Sequence, residues 1–132
     1  MKGTDDADGP DSSPERNGDQ VQTRLTTPTE PIAVESAPQF EELLAEHSPV
    51  LVDFHAEWCG PCKMLEPTVA DVAAGTSGTV LKVDVDAHRD LAQRYDVQGV
   101  PTLYLFVDGE PVERLVGVHD VPTLTELVES QA

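Results

Sequence analysis

At 132 residues the chain suits a single domain, and with 39% hydrophobic residues it can close one modest core. Its 25 acidic against 8 basic side chains leave a formal net charge of −17, which repels phosphate backbones and anionic lipid surfaces and argues against a nucleic-acid or membrane partner. No apolar run approaches the roughly 18 residues that a spanning helix requires. The N-terminus carries Lys2 and then turns acidic with no apolar stretch, so no secretory signal is expected and the protein is expected to stay in the cytoplasm.

The first 31 residues are rich in Asp, Gly, Pro, Ser and Thr. Such a segment buries too little surface to offset its ordering entropy, so 1–31 is expected to be a disordered acidic tail and 32–132 the folded domain. Order is expected to begin at Ile32–Val34, a short edge strand. Ser36 and Gln39 make a capping-box pattern with Pro38 in the first turn, and Phe40, Leu43 and Leu44 give one apolar helical face that must end before Pro49. Val50–Ala56 reads as a buried strand. A helix from Cys59 to about Ala74 follows, with Met64, Leu65, Val69 and Val72 as its apolar positions and Pro67 inside it. Thr79–Val85 is a second buried strand, and a short helix runs from about His88 to Tyr95. Asp96 stands where that helix ends, a place that often needs left-handed backbone. Thr102–Val107 is a strand, Asp108-Gly109 is a two-residue hairpin signal, and a further strand reaches about Val118. Asp120 then caps a last helix. Early strands alternate with helices and a late hairpin adds antiparallel pairing. The expected class is α/β, a mixed sheet of four to five strands with helices on both faces.

The chain has two cysteines, three positions apart, in Trp58-Cys59-Gly60-Pro61-Cys62. At a helix start this spacing brings the β-carbons to about 5–6 Å, within the reach of a disulfide that opens and closes with little backbone movement. A structural staple is one alternative, but so short a ring is worth only about 2 kcal/mol in the chain-entropy model. A zinc half-site is another. Zinc takes four ligands in a structural site, there is no third cysteine, and His47, His55, His88 and His119 lack the close pairing of a finger. Redox chemistry accounts best for the pair. Cys59, at the helix N-terminus, meets free N–H groups and the positive end of the dipole, which favour a thiolate. A free thiol ionises near about 8.5, and the helix end supplies at most about 2 kcal/mol, so hydrogen bonds must add to it. Cys59 is therefore the expected accessible nucleophile. Cys62, one turn in and more buried, is the expected resolving thiol.

The segment Val52-Asp53-Phe54-His55-Ala56-Glu57-Trp58-Cys59-Gly60-Pro61-Cys62-Lys63 resembles the active-site segment of the thioredoxin family. Lys82-Val83-Asp84-Val85-Asp86, Gly99-Val100-Pro101-Thr102, Asp108-Gly109 and Gly117 match later landmarks of that family in order, from about Ile32 to Ala132. The resemblance implies the thioredoxin fold and a protein-disulfide reductase acting as a monomer. It implies no bound cofactor or metal: the redox-active Cys59–Cys62 disulfide is reduced by an external, thioredoxin-reductase-like donor and passes electrons to disulfide-containing client proteins. It also implies a cis Val100–Pro101 bond beside the cysteines. Trp58, Gly60, Pro61, Gly99, Val100, Pro101 and Gly117 would form the client surface.

Asp53 stands inside a strand that otherwise reads as buried, so its carboxyl should hold its proton to higher pH. Lys82, on the neighbouring strand, opposes that. The resemblance gives Asp53 the role of deprotonating the resolving cysteine through water, with Lys82 in support; a buried polar residue that only specifies the fold is the alternative. Two positions depart from the family pattern. His55 stands where an aromatic is frequent; it reads as a partly exposed filler beside the site, and if charged it would favour the Cys59 thiolate. Asp96 stands where glycine is common.

A disulfide oxidase or isomerase could use the same fold. Gly60-Pro61 resembles the reducing branch, whereas oxidants tend to carry a histidine between the cysteines. A binding module with incidental thiols is the third reading, separable by replacing both cysteines with serine.

An acid excess with few lysines resembles the proteins of salt-loving microbes. Like charges destabilise the compact state at low ionic strength, and salt screens them. The melting temperature is expected to rise between low and molar salt in a thermal scan; a flat or falling trend would refute the screening argument.

Overall fold

The computed structural model describes residues 27–131. Residues 1–26 of the expected tail lie outside the described residues. In chain order the elements are β1 (Ile32–Ala33), α1 (Ala37–Glu46), β2 (Val50–His55), α2 (Gly60–Gly75), β3 (Thr79–Asp84), α3 (Arg89–Arg94), β4 (Thr102–Val107), β5 (Glu110–Val116) and α4 (Val121–Glu129). The strands form one five-stranded sheet in the order β1-β3-β2-β4-β5. β3 pairs in parallel with β1 and β2, and β4 pairs antiparallel with β2 and β5.

Local sequence explains the boundaries. Ser36 caps α1 by accepting the Gln39 N–H at 3.2 Å. Gln39 Oε1 reaches back to the Glu35 N–H rather than to that of Ser36, so the box closes one residue earlier than the standard pattern. Asp120 caps α4 by accepting the Thr123 N–H at 3.0 Å. Asp96 takes the left-handed conformation with φ 55. Asp108 at φ 52 and Gly109 at φ 83 give the two positive angles that a tight hairpin matching strand twist requires. β5 stops at Val116, short of the expected Val118, because Gly117 turns away at φ 94. Both the Ser48–Pro49 and the Val100–Pro101 bonds are cis; the second was implied by the family resemblance, the first was not foreseen. Pro67 lies inside α2.

β2 is the centre of the molecule. Its side chains alternate between two cores, as the strand period demands. Val50, Val52 and Phe54 enter one core with Phe40 and Leu44 of α1 and Leu91 of α3. Leu51 enters the other with Leu65, Val69 and Val72 of α2 and Leu124 and Val128 of α4. Each fully buried leucine or phenylalanine in these layers contributes about 1.5–3 kcal/mol. The first core is aromatic: Phe40 meets Phe106 edge-on at 6.0 Å between centroids, and the Tyr104 hydroxyl donates to the Tyr95 carbonyl at 2.5 Å. Met64, expected among the apolar positions of α2, points to solvent and is 67% exposed; the buried stripe runs instead through Cys62, Leu65, Val69 and Val72.

One outer edge of the sheet is β5. Its pairing with β4 shifts register between Leu105 and Phe106, where Phe106 meets Pro111. At the other end of the domain Gly78 is packed so closely that an added β-carbon would lie 2.5 Å from Val128 Cγ1, itself buried in the α2–α4 core. Gly78→Ala is expected to lower stability by about 1–3 kcal/mol through overpacking, seen as a lower denaturant midpoint with an unchanged slope.

Candidate functional site

The redox-type sequence sits at the C-terminal ends of β2 and β3, where β2 passes into α2. α2 begins at Gly60, one residue later than expected, because Cys59 is its N-cap. Extended backbone at Cys59 turns its sulfur over the first turn, where Sγ accepts the Cys62 N–H at 3.1 Å. Pro61 occupies the first turn, where a missing N–H costs nothing. Cys59 and Cys62 are joined as a disulfide with α-carbons 5.2 Å apart.

Burial corrects one expectation. Cys59 is 4% exposed and Cys62 3%, so in the disulfide form neither sulfur is openly accessible and burial does not rank them. Ala56 packs with both cysteines, with Val85 and Val100 against the cluster. Cap position is what distinguishes Cys59, since its sulfur is the one that faces the free N–H groups of the helix start.

The Pro101 loop closes the other side. Cys59 Sγ lies 3.7 Å from the Val100 carbonyl oxygen. The Gly99 carbonyl accepts the Thr102 hydroxyl at 2.6 Å and the Pro101 carbonyl accepts the Gly117 N–H at 2.9 Å, so the loop is tied down on both flanks. Pro101 is buried while Gly60, Pro61 and Gly99 are exposed. Trp58 is 71% exposed, far more than an ordinary half-buried aromatic. Its indole N–H donates to Asp86 Oδ2 at 2.8 Å. Asp86 in turn stands in a turn where Asp84 Oδ1 accepts the Asp86 and Ala87 N–H groups. Between Trp58, Val85, Val97, Gln98, Gly99 and Val100 lies a recess of about 100 Å³. A larger hollow of about 480 Å³, lined by Glu41, His47 and Asp108 among others, lies at the opposite end of the sheet and takes no part in this arrangement.

Beneath α2 the sheet turns polar. Asp53 is two residues past Leu51 and shares its face; its register partners are Lys82 on β3 and Leu103 on β4. It is fully buried, and neither carboxylate oxygen has a hydrogen-bond partner among the described residues. Burial raises its pKa from 3.8 to about 6; Lys82 pulls it down and Glu66 pushes it up. Lys82 does not pair with Asp53. Its ammonium lies 3.5 Å from Glu66 Oε2 on α2. His55 is half-buried, and burial first and Lys82 second lower its pKa. Both causes disfavour the charged ring that would support the Cys59 thiolate, and His55 stands as a partly exposed side chain beside the site.

Glu66 and Asp86 were missed by sequence reasoning. Glu66 follows Cys62 by four residues, a spacing that puts both on one side of α2 and offered a signal. Asp86 carried none, because its partner is 28 residues away. No group of three or more His, Cys, Asp or Glu suited to a metal ion occurs among the described residues, and no helix there is long and apolar enough to cross a membrane.

Comparison with known proteins bears on this arrangement. The Thioredoxin family model matches residues 31–130. Mitochondrial thioredoxin of Mus musculus is 40% identical over 111 residues, covering 82% of this chain and 64% of that protein. The bovine counterpart is 43% identical, with 54% of its length covered. The chain thus spans a little over half to just under two-thirds of these relatives. Thioredoxin of Mycobacterium tuberculosis is 47% identical over 88 residues, 65% of this chain and 76% of that one. Among solved structures, a point mutant of thioredoxin from Halobacterium salinarum NRC-1 superposes with a TM-score of 0.78 at 46% identity, covering 80% of this chain and 94% of the other.

The buried carboxyl has a thermodynamic consequence. Unfolded, Asp53 ionises near 3.8; folded, at about 6. The unfolded state releases its proton first, so stability falls as pH rises across that window, and the whole cost, about 3 kcal/mol, is present above it. Asp53→Asn is expected to raise stability at pH 7 by about 2–3 kcal/mol and to have little effect near pH 4. Urea unfolding at the two pH values checks this.

Proposed function

The chain belongs to the thioredoxin family, and we propose that it reduces disulfides in client proteins by dithiol exchange through Cys59 and Cys62. The observation that carries this reading is the Cys59 sulfur at the cap of α2, within bonding reach of Cys62 and against the Val100–Pro101 loop. The redox-active disulfide is the electron carrier, and no bound cofactor is involved.

In the reduced protein the Cys59 thiolate attacks one sulfur of a client disulfide. A Cys59–client bond forms, and the other client sulfur leaves as thiolate and takes a proton. The Cys62 thiol passes its proton through water to the Asp53 carboxylate and attacks Cys59 Sγ. The Cys59–Cys62 bond forms, the client sulfur leaves, and a proton follows it. The client is now a dithiol and this protein a disulfide, which a thioredoxin-reductase-like donor returns to the dithiol with two electrons. Lys82, engaged by Glu66 rather than by Asp53, lowers the Asp53 pKa only in part, so the carboxyl is ionised at neutral pH yet still able to take up a proton.

Client recognition falls to the surface around the sulfurs. Trp58, Gly99, Val100, Pro101 and Gly117 form it, with Gly60 and Pro61 exposed beside them. Trp58 offers a broad apolar face held by Asp86, and the exposed backbone of Gly99 suits an extended client strand. A reducing compartment such as the cytoplasm fits the Gly60-Pro61 pair better than an oxidising one.

Three measurements test the reading. Brief alkylation of the reduced protein at neutral pH should label Cys59 first; preferential labelling of Cys62 reverses the roles. Cys62→Ser should trap a mixed disulfide with insulin, and Cys59→Ser should abolish insulin reduction. Asp53→Ala should slow resolution of the mixed disulfide at least tenfold while the fold stays intact, a factor in keeping with loss of a general base. In the parent protein that step should accelerate as pH rises through about 6, the Asp53 midpoint, and the acid limb should vanish in the variant. An unchanged rate ends the Asp53 role.

A further inference from the structure

The polar cluster under α2 contains one ion pair that the dithiol reaction does not call for. Glu66 stands one helical turn beyond Cys62, and its carboxylate, not that of Asp53, lies 3.5 Å from the Lys82 ammonium. Asp53 is the direct register partner of Lys82 on the adjacent strand, yet both its oxygens are without a hydrogen-bond partner among the described residues. Lys82 thus has two acidic claimants, and the surface one holds it.

We propose that Glu66 is a positioning residue for the resolving step: by pairing with Lys82 it draws the ammonium away from Asp53 and keeps the Asp53 carboxyl able to take the proton of Cys62.

The physics follows from burial. The Lys82 side chain is 18% exposed and that of Glu66 56%, whereas Asp53 is sealed. A close ammonium would hold Asp53 ionised well below neutrality and make it a poor proton acceptor. A general base works best when its proton affinity lies near the working pH. Glu66 moves the carboxyl that way twice, by engaging Lys82 and by its own negative charge. The other groups around Asp53 do not offset this. His55 on the same strand has its pKa lowered by burial first and Lys82 second, and Asp84 is half-buried at the far end of β3. The α2 start contributes the Cys59–Cys62 pair. Leu103 on β4, and Leu124 and Val128 of α4, carry no charge.

The test is a carboxyl-carbon NMR titration of Asp53 in the full chain, with Glu66→Gln, Lys82→Gln and the double variant. Glu66→Gln should lower the Asp53 midpoint by about one pH unit, and the acid limb of mixed-disulfide resolution should move by the same amount. In the Lys82→Gln background the same substitution should shift the midpoint by less than half as much. An unmoved midpoint in Glu66→Gln, or an equal shift with and without Lys82, overturns the proposal. It rests on Asp53 being the acceptor for Cys62, and the two fail separately. If the midpoint moves as expected but Asp53→Ala resolves mixed disulfides at the parent rate, the Asp53 reading has failed and the Glu66 role falls with it. If Asp53→Ala is slow and the midpoint stays, Glu66 alone has failed.

Discussion

One hydrogen bond organises the reactive end of the molecule: the Cys62 N–H donates to the sulfur of Cys59. It exists because a short turn after β2 brings extended backbone to Cys59 just before α2 starts, so the capping position falls on a cysteine rather than on Ser, Thr or Asp. A cap atom must face the orphan N–H groups, and a sulfur in that place gains the partial positive charge of the helix end in its ionised form. The same turn brings Cys62 to a Cα separation that suits a disulfide. Everything else at the site is arranged around this bond. The Pro101 loop shields one flank, Trp58 stands over another, and Asp53 waits in the sheet below.

That sheet shows how one fold holds stability and reactivity apart. On the α2 face, the part nearer the hairpin end is packed with Leu51, Val80 and Leu105. Two residues along β2, the same face carries a buried acid with no hydrogen-bond partner among the described residues. Two residues along β3, Val80 gives way to Lys82. The apolar half secures the domain well enough to carry a polar half that by itself favours unfolding above pH 6. Functional sites commonly hold such costs, and here the cost has an identifiable atom.

Much of this was legible in the sequence because it is local. Ser36, Asp120 and Asp108-Gly109 announce caps and a hairpin by rules that span two to four residues, and each stands as read. The buried run of β2 and the motif around Cys59 pointed to the sheet and the site. What stayed hidden depends on distant parts of the chain meeting. No periodicity tells that Trp58 will bond Asp86 or that Lys82 will prefer Glu66 to Asp53, and the loop some forty residues on that lies against Cys59 was legible only through the family resemblance. Met64 was misplaced because the helix stripe was read a little too wide at its start, where the chain is still turning out of the cap.

The outer strand β5 carries a last implication. Val112 and Val116 stand out from it, 48% and 63% exposed, on a sheet margin that invites another chain to add itself. Pro111 offers no amide hydrogen there, the register slips beside it, and Glu110, Glu113 and Arg114 crowd the same few residues with charge. This margin is built to refuse growth into a longer ribbon, and the free edge of the sheet stays a boundary of the fold.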